Sequence, residues 1–124
     1  MDLFDVLKKP LCEPRLKSRG KRGVLAEIAE ILKRRPELDD VPRIDIEDAL
    51  WEREVLGSTG FGGGLAIPHC KLPGLKKFLM GLAISEKGVD FEAMDNRKVR
   101  LFCFMVGPED RPEDRVGAMF AATR

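Results

Sequence analysis

Residues 53–69 read REVLGSTGFGGGLAIPH, and the interpretation of the fold depends mainly on this stretch. Four of the seven residues from 58 to 64 are glycine. Glycine lets backbone N–H groups converge on an anion, because it has no Cβ and adopts positive φ angles without strain. The apolar residues 65–67 then predict a short strand, and Pro68 restrains the backbone before His69. The stretch therefore predicts an anion-binding loop that enters a strand with His69 at its end.

Two common nucleotide-binding signatures do not fit this loop. Gly57 is not followed by the Gly-Lys-[Ser/Thr] of a P-loop at the required distance. The pair Gly60-x-Gly62 is followed by Leu65 where the third glycine of a dinucleotide fingerprint would stand. We therefore disfavour nucleotide binding and expect the loop to bind a phosphate group.

His69 is the only histidine of the chain and the candidate nucleophile. A neutral imidazole attacks phosphoryl donors, and its phosphorylated form leaves readily when protonated. A lone histidine is more often structural than catalytic, but the adjacent glycine loop reverses that expectation. Phosphoryl transfer needs mainly positioning and positive charge, for which Arg53 is the nearest candidate in sequence. We predict that His69 accepts a phosphoryl group and passes it on.

Other chemistries are less consistent with the sequence. A single histidine without an accompanying Asp/Glu cluster predicts no metal site, and no motif predicts an organic cofactor. Cys70 would point away from His69 on an extended segment, which makes it a packing residue rather than a catalytic partner. Cys12, Cys70 and Cys103 lack C-x-x-C spacing, so we expect three reduced thiols.

Length and charge limit the classes of protein and partner. The 124 residues, of which 44% are hydrophobic, suffice for one compact core, so we expect one domain over residues 1–124. Lys and Arg number 22 against 21 Asp and Glu, a balance without bulk attraction to nucleic acid or an anionic bilayer. No stretch approaches the roughly 18 apolar residues of a membrane helix. We expect a cytoplasmic protein without a nucleic-acid partner or membrane insertion.

Hydrophobic periodicity predicts an α/β layered domain. Apolar residues at helical spacing predict a helix over residues 21–35, which Pro36 would end. A second helix is predicted from Asp45 as N-cap to Gly57. Residues 78–85 and 99–106 are short apolar runs typical of strands buried on both faces, with turns or a small hairpin at 88–91 and 95–96 between them. A third helix is predicted from Pro112 onward, which would allow helices to cover both faces of the sheet.

Residues 53–69 resemble the active-site signature of the fructose/mannitol-type EIIA domain of the bacterial phosphotransferase system. Residues 88–95 and 99–108 resemble the nitrogen-regulatory, PtsN-type branch of that family. The resemblance implies a single α/β domain with a mixed β-sheet sandwiched between helices. It also implies a histidine that is phosphorylated by a small HPr-like phosphocarrier protein, ultimately at the expense of phosphoenolpyruvate.

The resemblance also implies roles for individual residues. His69 would be the phosphohistidine, Arg53 the site arginine, and Ser58 and Thr59 the hydroxyl residues before the loop. A second histidine of the family aligns with Arg115, which can hold a phosphoryl group but cannot relay a proton. Besides the acceptor, the predicted phosphate-binding set therefore comprises Arg53, Ser58, Thr59, Gly60, Gly62, Gly63, Gly64 and Arg115.

Relatives typically continue through a further strand and helix, so the resemblance predicts a domain that lacks both. An uncovered sheet edge or face would favour self-association into a homo-oligomer or a partner that completes the layer.

Three functions follow as alternatives. The first is a nitrogen-branch regulator that binds target proteins according to its phosphorylation state. The second is a sugar-specific EIIA that passes the phosphoryl group to a cysteine of an EIIB partner. The third is a binding module that keeps the fold and has lost phosphotransfer, as Arg115 would permit.

Overall fold

The computed structural model describes residues 11–109, in which helices and strands occur in mixed order. Two helices, α1 and α2, are joined by a short 3₁₀ turn over Pro36–Leu38. The remaining elements are six strands of one sheet. The bounds are β1 Leu11–Glu13, α1 Lys21–Leu32, α2 Arg43–Leu56, β2 Gly60–Gly62, β3 Leu65–Ala66, β4 His69–Leu72, β5 Leu79–Val89 and β6 Val99–Pro108.

Strand β6 organises the sheet. It pairs antiparallel with β5 along one edge, and on its other edge it pairs parallel with both β3 and β4. Leu65 lies opposite Leu101, and His69 lies opposite Met105. Strand β2 flanks β3, and β1 runs parallel to β5 at the opposite edge. The predicted mixed sheet is confirmed.

Helix α1 forms where the periodicity predicted it but ends three residues earlier, at Leu32. Arg34 N–H and Arg35 N–H bond to the carbonyls of Ile31 and Leu32, which tightens the chain into turns before Pro36. The Lys33 ammonium donates to the Leu38 and Val41 carbonyls at 2.8 Å each. The connection to α2 is therefore held by hydrogen bonds to the end of α1.

Helix α2 begins at Arg43 with Pro42 in the N-cap position, so the predicted Asp45 N-cap is wrong by three residues. Pro42 supplies the capping carbonyl, which accepts the Asp45 N–H at 3.0 Å. Asp45 lies in the first turn, where its charge favours the helix dipole. The predicted end at Gly57 is confirmed, because the helix closes at Leu56.

Strand β5 extends beyond its predicted end to Val89 and includes Gly88 and Val89, the first two residues of the turn predicted over 88–91. The pairing with β6 shifts register between Ile84 and Val89. Gly88 allows this irregularity with φ of 85°, and a Cβ there would lie 2.8 Å from the Lys98 Cβ. A glycine bulge, rather than a turn, therefore continues the strand. The predicted turn around Asp95 is present, where the Asn96 N–H bonds to the Ala93 carbonyl.

The two helices share one core with the sheet face that carries Ala83, Phe102 and Phe104. On the opposite face, Phe78, Met80 and Met105 form a small buried cluster. Ile84 and Leu101, paired across β5 and β6, are 45% and 39% exposed on that side. The prediction that these strands are buried on both faces is therefore only partly confirmed within residues 11–109. The helix predicted from Pro112 lies outside the described residues.

Neither helix between residues 11 and 109 is long and apolar enough to cross a membrane.

Candidate functional site

His69 is the first residue of β4, at the point where the chain resumes pairing with β6. The Pro68 carbonyl accepts the Met105 N–H at 3.0 Å, which ties the residue before His69 to the sheet. The imidazole Nδ1 lies 2.9 Å from the Ile67 carbonyl oxygen. On the other side of the ring, Nε2 lies 3.3 Å from Arg53 Nε. The ring is therefore held from both of its nitrogens.

These two contacts define the tautomer of His69. A carbonyl oxygen can only accept, so Nδ1 must carry the hydrogen. An arginine Nε–H can only donate, so Nε2 must present its lone pair. Both neighbours therefore select the neutral imidazole with Nε2 as the nucleophilic atom.

Burial lowers the pKa of His69 below its ordinary value, because desolvation disfavours the charged ring. The hydrogen bond to the Ile67 carbonyl opposes this shift, the positive charge of Arg53 adds to it, and the negative charge of Glu54 opposes it. Since the net pKa lies below 6.5, the ring is neutral at physiological pH. Nε2 therefore carries a lone pair, which accepts the Arg53 Nε–H.

Arg53 reaches the imidazole from the last turn of α2. Its Nη1 donates to the Gly57 carbonyl at 2.8 Å while its Nε faces His69. The guanidinium thereby joins the end of the helix to the start of β4. An anion on Nε2 would meet this cation directly, and a guanidinium suits the oxygens of a phosphoryl group.

Ser58 and Thr59 lie between α2 and β2, and both hydroxyl groups hold the loop. The Ser58 hydroxyl donates to the Phe91 carbonyl at 2.6 Å. Thr59 donates its backbone N–H and its hydroxyl to Glu54 at 2.9 Å and 2.6 Å. The Thr59 carbonyl accepts the Ile67 N–H at 2.9 Å. These two residues therefore shape the wall of the site, and their hydroxyl hydrogens are already engaged.

Glu54 was not predicted as a site residue. It follows Ile46 and Leu50 at four-residue spacing on the buried face of α2, and its carboxylate pairs with the Lys21 ammonium at 3.0 Å. The signal for Glu54 in the sequence was an acidic residue at a helix position where the four-residue spacing predicts an apolar residue.

The structure brings Gly60 close to the site wall but not the three glycines that follow. Gly60 pairs with Ala66, whereas Gly62, Gly63 and Gly64 form the tip of the β2–β3 hairpin with φ of 112°, 65° and 84°. The Gly63 N–H donates to an Asp95 carboxylate oxygen at 2.9 Å.

The register on β6 places this tip far from His69. The Gly64 carbonyl accepts the Arg100 N–H at 2.8 Å, whereas His69 is paired with Met105. Five residues of strand separate the two levels by roughly 16 Å. The tip glycines thus serve the hairpin, and the structure does not assemble them into a cradle around His69. Arg115 lies outside the described residues.

Cys70 follows His69 and packs against the helical core. Burial raises the pKa of its thiol to about 12, so it stays protonated, as expected of a packing residue. In the described part of the chain, no group of three or more His, Cys, Asp or Glu side chains could hold a metal ion.

Comparison with known proteins shows to which family the chain belongs. Residues 5–119 match the family model described as "Phosphoenolpyruvate-dependent sugar phosphotransferase system, EIIA 2". The nitrogen regulatory protein of Pseudomonas aeruginosa is 38% identical over 97 residues, which are 78% of this chain and 62% of that protein. The nitrogen regulatory protein of Bradyrhizobium diazoefficiens is 33% identical over 124 residues, the whole of this chain and 79% of that protein.

The fold agrees as well. The crystal structure of nitrogen regulatory protein IIA-Ntr from Neisseria meningitidis superposes with a TM-score of 0.78 and 25% identity, covering 90% of this chain and 74% of that one. The predicted resemblance to the EIIA family is therefore confirmed, and it extends beyond residues 53–69 to residues 5–119. The chain belongs to the EIIA type 2 family of the phosphoenolpyruvate-dependent sugar phosphotransferase system.

Proposed function

We propose that this chain is a phosphoryl carrier that accepts a phosphoryl group from an HPr-like protein on His69 Nε2. In its phosphorylated and unphosphorylated forms it binds different target proteins and so acts as a nitrogen-branch regulator. The observation that carries the proposal is the ring of His69, with Nδ1 facing a carbonyl and Nε2 facing the Arg53 guanidinium. The similarity to proteins named nitrogen regulatory protein favours the regulatory role.

The transfer step uses the tautomer described above. The Nε2 lone pair forms a bond to phosphorus while the bond between phosphorus and the donor atom of the carrier breaks, and that electron pair leaves with the carrier. Nδ1 keeps its hydrogen, so the phosphorylated ring is cationic, and the Ile67 carbonyl stabilises it. A cationic phosphoimidazole is a good leaving group, which suits onward transfer.

Arg53 supplies positive charge at the phosphoryl oxygens. Its Nε contact to Nε2 is replaced by contacts to the oxygens once that nitrogen is phosphorylated. We propose Arg115 as the second cation, in the role that the family gives to a second histidine. Arg115→Ala should then slow acceptance, while Arg115→His should restore it.

The experiment is incubation with phosphoenolpyruvate, the first phosphotransferase enzyme and the HPr-like carrier, followed by intact mass spectrometry. The expected result is one acid-labile phosphoryl group on the wild type and none on His69→Ala. A wild-type chain that stays unmodified beside a known EIIA that is modified in the same mixture would refute the proposal.

A second candidate function is a sugar-specific EIIA, which the family description itself favours. It predicts that the phosphorylated chain transfers its phosphoryl group to a cysteine of an EIIB domain. The regulatory role instead predicts capture of a target protein that differs between His69→Ala and the phosphorylated wild type. Both roles require access to the carrier, so we propose a cytoplasmic location.

The third alternative, a binding module without phosphotransfer, would show binding that neither His69→Ala nor phosphorylation alters.

A further inference from the structure

Glu54 is a buried carboxylate next to Arg53 in the last turn of α2. Its side chain lies on the core face of α2, and the residue is 4% exposed. A buried charge is costly unless it is paired and hydrogen-bonded, and an apolar residue would fill this position without that cost. Glu54 instead engages both oxygens, one with the Lys21 ammonium and the Thr59 N–H and the other with the Thr59 hydroxyl.

The hydrogen bonds continue from Glu54 to the ring of His69. Glu54 holds Thr59 by both its backbone N–H and its hydroxyl. The Thr59 carbonyl then accepts the Ile67 N–H at 2.9 Å. The Ile67 carbonyl lies 2.9 Å from His69 Nδ1. Thr59 and Ile67 thus connect the buried carboxylate to the nitrogen that must keep its hydrogen.

Lys21 anchors the other side of the carboxylate. Its ammonium lies 3.0 Å from Glu54 and 3.3 Å from Glu92, and 5.0 Å from the centre of the Phe91 ring. The ammonium of Lys21, the first residue of α1, therefore also contacts the segment that precedes β6. Glu54 is therefore held both by Lys21, which is remote in sequence, and by Thr59 in the loop after α2.

We propose that Glu54 is a positioning residue for His69, which acts through Thr59 and Ile67 to keep the hydrogen on Nδ1 and the lone pair on Nε2. The hydrogen bond at one imidazole nitrogen selects the tautomer and so determines which nitrogen can react. The proposal rests on the proposed function, in which Nε2 is the phosphoryl acceptor. The state of the ring can nevertheless be measured without any phosphotransfer.

The test compares four variants by ¹⁵N NMR of the His69 ring and by the initial rate of phosphorylation from the HPr-like carrier. Glu54→Gln removes the charge with little change in shape, and Thr59→Val removes the hydroxyl while keeping the backbone N–H. Thr59→Ser keeps the hydroxyl and loses only the methyl group. Glu47→Gln is the matched control, because Glu47 is also buried on α2 and paired, but with Arg22 and Arg43.

We expect the wild type, Thr59→Ser and Glu47→Gln to show the Nδ1–H tautomer and similar phosphorylation rates. In Glu54→Gln and Thr59→Val, the Nε2–H tautomer should gain population and the rate should fall about tenfold, as loss of one net hydrogen bond would produce. If Glu54→Gln does not fold, Thr59→Val decides, because it leaves the Glu54–Lys21 pair intact.

Wild-type ring signals in Glu54→Gln and Thr59→Val would overturn the proposal. A slower rate with an unchanged ring would overturn it as well, because Glu54 would then act by another route. A wild type that is never phosphorylated refutes the proposed function instead, and the ring signals still decide the role of Glu54.

Discussion

Arg53 donates from Nε to His69 Nε2 over 3.3 Å, and this contact joins the last turn of α2 to the first residue of β4. In the proposed function Nε2 receives the phosphoryl group, so the cation would already lie where negative charge develops. Positive charge held in place before the reaction needs no reorganisation during it.

Replacement of Arg53 should slow phosphorylation and change the ring. We expect Arg53→Ala to lower the rate of acceptance by about 10²-fold, the usual effect of removing one donor at developing charge. The pKa of His69 should rise, because the guanidinium disfavours a second positive charge beside it. Rates from the carrier and an NMR titration measure both effects. Arg43→Ala, at the other end of the same helix, is the control, and an Arg53→Ala rate equal to it would contradict the assignment.

Acidification should destabilise the chain through His69. Its pKa is lowered in the folded state below the ordinary 6.5, so the unfolded chain binds the proton more tightly. The free energy of unfolding should therefore fall as the pH drops through 6.5 toward the folded pKa. Urea denaturation of the wild type and His69→Gln over this range measures the effect. As the pH falls, the free energy of unfolding of the wild type should decrease relative to that of His69→Gln. A difference that stays constant with pH would contradict the prediction.

Gly60→Ala should destabilise the fold, because an added Cβ would lie 2.7 Å from the Ala93 Cα. A clash with backbone is relieved only by moving the hairpin, which we expect to cost about 1–3 kcal/mol. Gly20→Ala is a matched control, since nothing lies within 4 Å of a Cβ there and its φ of −107° is ordinary. Urea denaturation of both variants should separate them, and equal stabilities would show that the approach at Gly60 tolerates a methyl group.

Gly63→Ala should affect stability without affecting phosphotransfer. The φ of 65° disfavours a residue with a Cβ by about 1 kcal/mol, while no atom blocks the methyl group. The hairpin tip is remote from His69, so the phosphorylation rate should stay within about twofold of the wild type, a change of at most about RT ln 2 in the activation free energy. Loss of phosphorylation at unchanged stability would instead support a phosphate-binding role for the tip glycines.

Local patterns in the sequence predicted much of this protein. The apolar spacing within residues 21–32 and the apolar runs of β5 and β6 were sufficient to predict those elements, because each is selected by side chains that are near in sequence. His69 and Arg53 were also predicted as candidates from residue chemistry and from one contiguous motif, and the structure brings the two side chains together. The bulge at Gly88 escaped prediction because a glycine between strands is equally compatible with a turn.

Tertiary structure alone decided which of the motif residues meet. Parallel pairing of β3 and β4 with β6 separates the glycine tip from His69, and no local pattern encodes that register. The same holds for Glu54, whose partners Lys21 and Thr59 come from α1 and the loop after α2. Sequence chemistry identified His69 as the candidate nucleophile, whereas the folded structure determined which groups surround its ring and which nitrogen carries the hydrogen, because those contacts depend on the assembled sheet.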